Sequence, residues 1–208
     1  MSWIVLHVLG IMAYAATGAM VAMEAEYSII GVFVLGFTTS FGGAIIRNVI
    51  IEAPVSGLWD SFTIAIVLAT LTLIVLLPSG WMHHWRRWGL FFDSIGLASF
   101  ALQGALAAKQ VHDHASVLLL SAMFTGLGGG MIRDLLAGRK PLALKEEIHA
   151  VLALLCGGCV WLGWTSSIQL TFIVLGAAGI RMLAIRYRWS LHLPGRLNRT
   201  FRPLKTIK

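Results

Sequence analysis

A chain of 208 residues is long enough for one soluble domain, but 58% of it is hydrophobic and only 12% charged, with a mean hydropathy of +0.82. Soluble domains carry about 25% charged residues, so the chain is to be read in lipid. The net charge of +7 does not point to nucleic acid, because the basic residues cluster at the ends of apolar stretches rather than on one polar face.

A bilayer core takes about 20 apolar residues per helix. Seven such stretches follow one another, at 3–22, 27–51, 56–77, 88–109, 115–137, 145–164 and 166–186. The fold class expected is therefore an all-α integral membrane protein with seven transmembrane helices. The first stretch has no basic region before it and is long for the apolar core of a signal peptide, so it reads as a helix of the mature protein. The join near 165 rests on Gly163, Thr165, Ser166 and Ser167 as turn formers. Cys156 and Cys159 fall inside the sixth stretch and read as two buried thiols. His83 and His84 fall in one loop and His112 and His114 in another, across the membrane, so they share no metal. No phosphate-binding loop, paired zinc ligands or nucleophile elbow is present, which argues against an enzyme and against a cofactor.

The basic residues orient the chain. With seven spans the termini lie on opposite sides, and Arg86, Arg87, Arg139, Lys140, Lys145, Arg186 and the tail from Arg188 to Lys208 all fall on the tail's side, with Lys109 alone near the other. The positive-inside rule then puts the C-terminus in the cytoplasm and the N-terminus outside. A multi-pass protein of the cell's inner (plasma) membrane is expected, its basic tail close to anionic lipid.

The chain repeats itself. Gly42-Gly43-Ala44-Ile45-Ile46-Arg47-Asn48 returns as Gly128-Gly129-Gly130-Met131-Ile132-Arg133-Asp134, 86 residues later. The same offset pairs Gly10 with Gly96, Ala15 with Ala101, Gly18 with Gly104, Ala19 with Ala105, Ala22 with Ala108 and Thr39 with Thr125. Each copy holds three spans, an odd number, so the copies enter the membrane from opposite faces and form an inverted repeat. The expected organisation is residues 1–80 for the first repeat, 81–164 for the second, 165–187 for a seventh helix and 188–208 for a basic cytoplasmic tail. The small residues of spans one and four recur at i, i+3, i+4 and i+7, giving each helix a flat face for close approach of its broken neighbour.

Inverted repeats in transport proteins place the solute site at the repeat interface, often at interrupted helices. Gly42-Gly43 and Gly128-Gly129-Gly130 lie inside spans two and five, where a break would free backbone groups for a solute; Thr38, Thr39, Ser40 and Thr125 are hydroxyls at hand to satisfy them. The plainer alternative is that these glycines only let helices pack closely. Arg47 and Arg133 follow one turn later, and an intramembrane arginine costs at least about 2.5 kcal/mol unless compensated. Neighbours on a helix do not face each other, so Arg133 is expected to pair across helices with Asp93 rather than with Asp134. In the first copy Asn48 stands at the acid position and His7 aligns with Asp93. Both arginines could instead be structural locks. A half-helix starting near Ala44 or Met131 would favour a carboxylate, one ending near Thr39 or Thr125 a desolvated potassium ion, and both together a zwitterion.

A duplicated glycine-glycine-x-x-x-arginine motif in a seven-span chain of this size resembles the trimeric intracellular cation channel family, in its short prokaryotic branch. The resemblance covers nearly the whole chain. It implies a homotrimer with a pore in each protomer, lined by spans two and five kinked at their glycine motifs and permeated by monovalent cations, chiefly potassium. Asn48 departs from the acid retained at Asp134. Related bacterial sequences of the same domain are classed as glycine transporters, so transport of glycine or a similar small amino acid is the alternative. In a cation pathway Arg47 and Arg133 are expected to close the pore by hydrogen bonding across helices and to open it on release.

Overall fold

A computed structural model describes the backbone of residues 3–77, 81–112 and 114–187, with side chains described for all of these except 3 and 81–87. Among them every regular element is helical. The order is α1 (Trp3–Glu24), α2 (Ile29–Ile50), a 3-10 turn (Val55–Leu58), α3 (Ser61–Leu76), α4 (Trp81–Val111), α5 (Ala115–Leu136), the single-turn α6 (Leu142–Lys145), α7 (Ile148–Trp161) and α8 (Ser167–Arg186). Five helices, α1, α2, α4, α5 and α8, are long and apolar enough to cross a bilayer; α3 and α7 are shorter apolar helices. The chain is an all-α, multi-pass membrane protein.

Three boundaries differ from the sequence reading. The third helix begins at Ser61 rather than near 56, because Pro54 and the turn at Val55–Leu58 come first and Asp60 caps the new helix by accepting from the Thr63 backbone N–H at 2.8 Å. α4 starts at Trp81, so His83, His84, Arg86 and Arg87, expected in a loop, lie on the first turns of a helix of 31 residues. α7 is trimmed at both ends, its start set back by the α6 turn. The join near 165 is resolved by Gly163 at φ 90° and by a reciprocal capping box in which Ser166 and Gln169 satisfy each other's backbone N–H groups. Ser166→Ala should cost about 1 kcal/mol, measured as lost thermal stability of the purified protein.

Two large apolar cores form, beside a small third cluster of Ile51, Ala108 and Leu118. One joins α1, α2 and α3 around Ala15, Ala19, Leu35 and Leu71; the other joins α4, α5, α7 and α8 around Ala101, Ala105, Leu152 and Val174. Cys156 lies buried in the second core, whereas Cys159 is only half-buried. The small-residue faces do what their spacing predicts. A Cβ at Gly18 would sit 2.7 Å from the Gly36 Cα and 2.7 Å from the Thr39 hydroxyl, so α1 lies directly on α2; Gly104 meets Ser121 and Thr125 of α5 in the same way.

Both copies end their second helix alike. After α2, Glu52 takes φ 55° and the Ala53 N–H bonds to the Asn48 carbonyl at 2.8 Å; after α5, Gly138 takes φ 69° and the Arg139 N–H bonds to the Asp134 carbonyl at 2.8 Å. The left-handed position suits glycine and strains glutamate. Glu52→Gly is therefore expected to raise stability by about 0.5–1 kcal/mol, checked by thermal unfolding.

Candidate functional site

The molecule is organised about the crossing of α2 and α5. A Cβ at Gly43 would run into the Thr125 carbonyl, and one at Gly129 into the Thr39 carbonyl; Gly42 faces the Ile132 side chain and Gly128 the Ile46 side chain. Each contact recurs with the two copies exchanged, at the offset of 86. That exchange is the mark of a two-fold relation between the repeats. Tyr14 and Phe100, again 86 apart, close the same axis with ring centroids 4.9 Å apart. The Tyr14 hydroxyl donates to the Gly126 carbonyl.

α2 and α5 both run as continuous α-helix through their glycines, so the expected break, and the half-helices starting near Ala44 and Met131, are not formed. The reason is packing. Glycine in a helix costs about 1 kcal/mol, but here it lets two backbones touch, and the helical hydrogen bonds stay closed. The hydroxyls therefore serve their own helices: Thr38, Thr39, Ser40 and Thr125 donate to the carbonyls of Val34, Leu35, Gly36 and Ser121, four residues back. Thr39 and Thr125 are fully buried at the crossing, Thr38 only partly.

Each of the two arginines of the repeat lines a cavity. One, of about 200 Å³, is lined by His7, Ser40, Arg47, Asp60, Thr63, Phe100 and Gln103, among others. The other, of about 290 Å³, is lined by Thr17, Glu24, Asp93, Arg133 and Arg139, among others. They are counterparts: Arg47 corresponds to Arg133, His7 to Asp93 and Gln103 to Thr17. None of the glycines of the crossing lines either cavity; at Gly130 an added Cβ would approach only the Arg133 guanidinium, at 3.7 Å, and the Asp93 carboxylate, at 4.0 Å.

Around Arg133 the charges close on themselves. Arg133 donates to Asp93 at 2.6 Å and to Asp134 at 2.9 Å. The bond to Asp134 corrects the expectation that these neighbours would not pair: in the last turn of α5 the long Arg133 side chain reaches round to the Asp134 carboxylate. Asp134 also accepts from the Leu142 backbone N–H at 3.0 Å and so pins the loop after α5. Asp93 is shared with a residue that the sequence reading passed over. Arg181 of α8, fully buried, donates to the second Asp93 oxygen at 2.7 Å and contacts the His149 imidazole. An arginine in the middle of an apolar span was the signal for it. Two guanidiniums and two carboxylates thus balance in a nearly dry cluster joining α4, α5, α7 and α8. At the mouth of this cavity Arg139 bonds to Glu24 at 3.0 Å.

Around Arg47 the arrangement is neutral apart from Arg47 itself and Asp60. Arg47 Nε and Nη2 both donate to the Asn48 side-chain oxygen, at 3.0 and 2.8 Å. The Asn48 amide in turn donates to the Pro54 carbonyl at 2.9 Å, pinning the loop after α2 as Asp134 pins the loop after α5. His7 bridges Gln103 at 3.0 Å and Thr63 at 2.9 Å. No carboxylate lies in ion-pair range of Arg47 among the described residues.

Comparison with known proteins places this geometry. The family described as Glycine transporter matches residues 4–79 and again 90–165, two stretches that start 86 residues apart. The UPF0126 membrane protein YvgT of Bacillus subtilis is 47% identical over 97% of this chain and 98% of its own length. Among solved structures, a TRIC cation channel superposes with a TM-score of 0.78 at 29% identity, over 93% of this chain and 98% of that one. The trimeric intracellular cation channel orthologue from Rhodobacter sphaeroides superposes with a TM-score of 0.76 at 26% identity, over 90% and 98%. With the duplicated motif, the two-fold crossing and these matches in agreement, the chain belongs to the glycine-transporter-domain family of UPF0126 membrane proteins, within the trimeric intracellular cation channel (TRIC) family.

Proposed function

We propose that the chain conducts monovalent cations, chiefly potassium, down their gradient through a pathway in each protomer of a homotrimer. The observation that carries this reading is the pair of counterpart cavities, each with one membrane-embedded arginine on its wall. The names of the matched channels support cation conduction and a trimer. Tyr14 and Phe100, each 2% exposed, pack ring against ring, and Phe100 lines the Arg47 cavity; in this reading the pair holds the pathway closed. On the charge asymmetry of the loops, the Arg47 cavity faces outward and the Arg133 cavity the cytoplasm, with the C-terminus inside the cell and the protein in its inner membrane.

Gly42, Gly43, Gly128 and Gly129 act as the sliding contact between α2 and α5. Gly130 leaves the Arg133 side chain room to move. Thr39, Thr125, Ser40 and Thr38 hold the backbone at and beside the crossing, Asn48 and Asp134 tie each arginine to the following loop, and Asp93 holds Arg133 against α4. Opening requires Arg47 and Arg133 to leave the axis. A unit charge about 10 Å from a cation at an effective dielectric of about 20 opposes it by about 1.7 kcal/mol, so Arg47→Gln should raise potassium flux on the order of tenfold. Flux in Arg47→Gln equal to that of the unaltered protein would remove Arg47 from the pathway.

The family's description supports a second reading, carriage of glycine or a similar small amino acid. Liposomes holding the purified protein separate the two: potassium-driven membrane potential and labelled glycine uptake are followed in one preparation. Potassium current without glycine uptake supports the channel, and saturable glycine uptake without current supports the carrier.

A further inference from the structure

The two copies treat their arginines differently, and that difference defines a site. Arg133 meets two carboxylates, whereas Arg47, 9% exposed, meets one amide oxygen. Nε and Nη2 are spent on Asn48; Nη1 has no protein acceptor among the described residues, yet is not sealed from the cavity. The edge of the guanidinium formed by Nη1 and the second N–H of Nη2 therefore remains to bind. It is the flat, two-donor edge that matches a planar carboxylate. A lone guanidinium at this depth carries a desolvation cost that a single counter-ion would relieve.

We propose that the Arg47 cavity binds a small monocarboxylate as an accessory counter-ion, and that its occupancy governs cation flux. The size fits, at about 200 Å³. Asp60, on the same wall and engaged in capping α3, sets the charge limit: a second negative charge on the ligand would face it. The anion stays rather than crosses. The counterpart Arg133 is already matched by Asp93 and Asp134 and offers it no second site. With the carboxylate on Arg47, the cation meets a neutral pair where it would otherwise meet a guanidinium with no carboxylate in ion-pair range among the described residues. In effect the bound anion supplies to the first repeat the acid that Asp134 supplies to the second.

The regulatory half of this inference rests on the cation-channel reading, so binding and flux are measured separately. Binding of formate, glycine and chloride to the purified protein is read by calorimetry at neutral pH. Potassium flux into liposomes is read with gluconate as a bulky reference anion, then with formate. Formate is expected to bind and to raise flux by roughly threefold or more. Arg47→Gln should abolish formate binding and give high flux in either anion. Asn48→Asp, which builds the carboxylate in, should do the same; because it forfeits the bond to the Pro54 carbonyl, Arg47→Gln decides the matter alone if that variant does not fold. Formate binding that survives Arg47→Gln, or no formate binding at all, overturns the proposal. Binding of glycine without formate overturns it in favour of a zwitterion site, and equal binding of chloride overturns the carboxylate assignment. If no potassium flux occurs in any anion while formate still binds at Arg47, the channel reading and the governing role fall and the binding site stands.

Discussion

Asp93→Ala is expected to cost about 3–5 kcal/mol of stability, a large share of the total for a domain of this size. The carboxylate takes one hydrogen bond from Arg133 at 2.6 Å and another from Arg181 at 2.7 Å, and both arginines are almost wholly buried. Removing it leaves two guanidiniums and one carboxylate, Asp134, in a region nearly closed to water. The cost is that of an uncompensated buried charge, not the net strength of one ion pair, because attraction within the cluster largely offsets the desolvation of its members. Charge balance therefore makes a sharper test than loss alone. Asp93→Asn should be nearly as damaging as alanine, since an amide matches the shape but not the charge. Arg181→Gln leaves one negative charge in excess and should also destabilise. Combining Asp93→Asn with Arg181→Gln leaves Arg133 matched by Asp134, so the pair should be more stable than either change by itself. Thermal unfolding of the four purified proteins in one detergent measures this. Losses that simply add would mean that packing around these side chains, rather than their charge, holds α8 to the bundle.

That cluster also shows where reading the sequence stopped. The repeat was legible because an inverted duplication preserves spacing, and the contacts at the crossing obey the same offset of 86 residue by residue. The small-residue faces of α1 and α4 were legible because helical period alone sets which residues share a face. Asp93 with Arg133 followed from the cost of burying an arginine. Arg181 obeyed the same rule and was missed because it lies outside the duplicated part, where no counterpart drew attention to it. The pairing of Arg133 with Asp134 was misjudged for a different reason: the spacing rule compares the directions in which neighbouring side chains leave the helix, whereas the long arginine side chain reaches back round it to the next residue. The glycines pose the converse problem. A glycine pair in a membrane helix signals either a break or a close crossing, and local sequence is the same for both. What decides is the partner, since a helix facing another glycine pair gains more by touching than by opening.

Gly43→Ala and Gly129→Ala follow from that decision and should each destabilise the protein by about 1–3 kcal/mol while leaving its helix content unchanged. The added methyl at either position meets a backbone carbonyl of the opposite helix, Thr125 for Gly43 and Thr39 for Gly129, which no rotamer change can move aside. Intrinsic helix propensity pulls the other way, by about 1 kcal/mol in favour of alanine, so the sign of the outcome identifies the role. If these glycines served as points of bending in a helix otherwise free of neighbours, alanine would stiffen and stabilise it. Gly130→Ala provides the control: its methyl finds only ordinary contact distances, 3.7 Å or more, and the propensity gain should leave stability unchanged or slightly raised. Gly42→Ala and Gly128→Ala fall between, because the nearest atom each meets is the end of an isoleucine side chain, Ile132 or Ile46, that can turn away, although Gly128 also has the Gly43 Cα at 3.2 Å. The expected order of stability is therefore Gly130→Ala above Gly42→Ala and Gly128→Ala, with Gly43→Ala and Gly129→Ala lowest. Potassium flux should follow a different order. A methyl wedged between Gly43 and the Thr125 carbonyl separates α2 from α5 where this structure holds them together, so on the proposed channel function whatever Gly43→Ala protein folds should conduct more readily. Gly43→Ala protein with full thermal stability and unaltered flux would place the α2–α5 contact elsewhere.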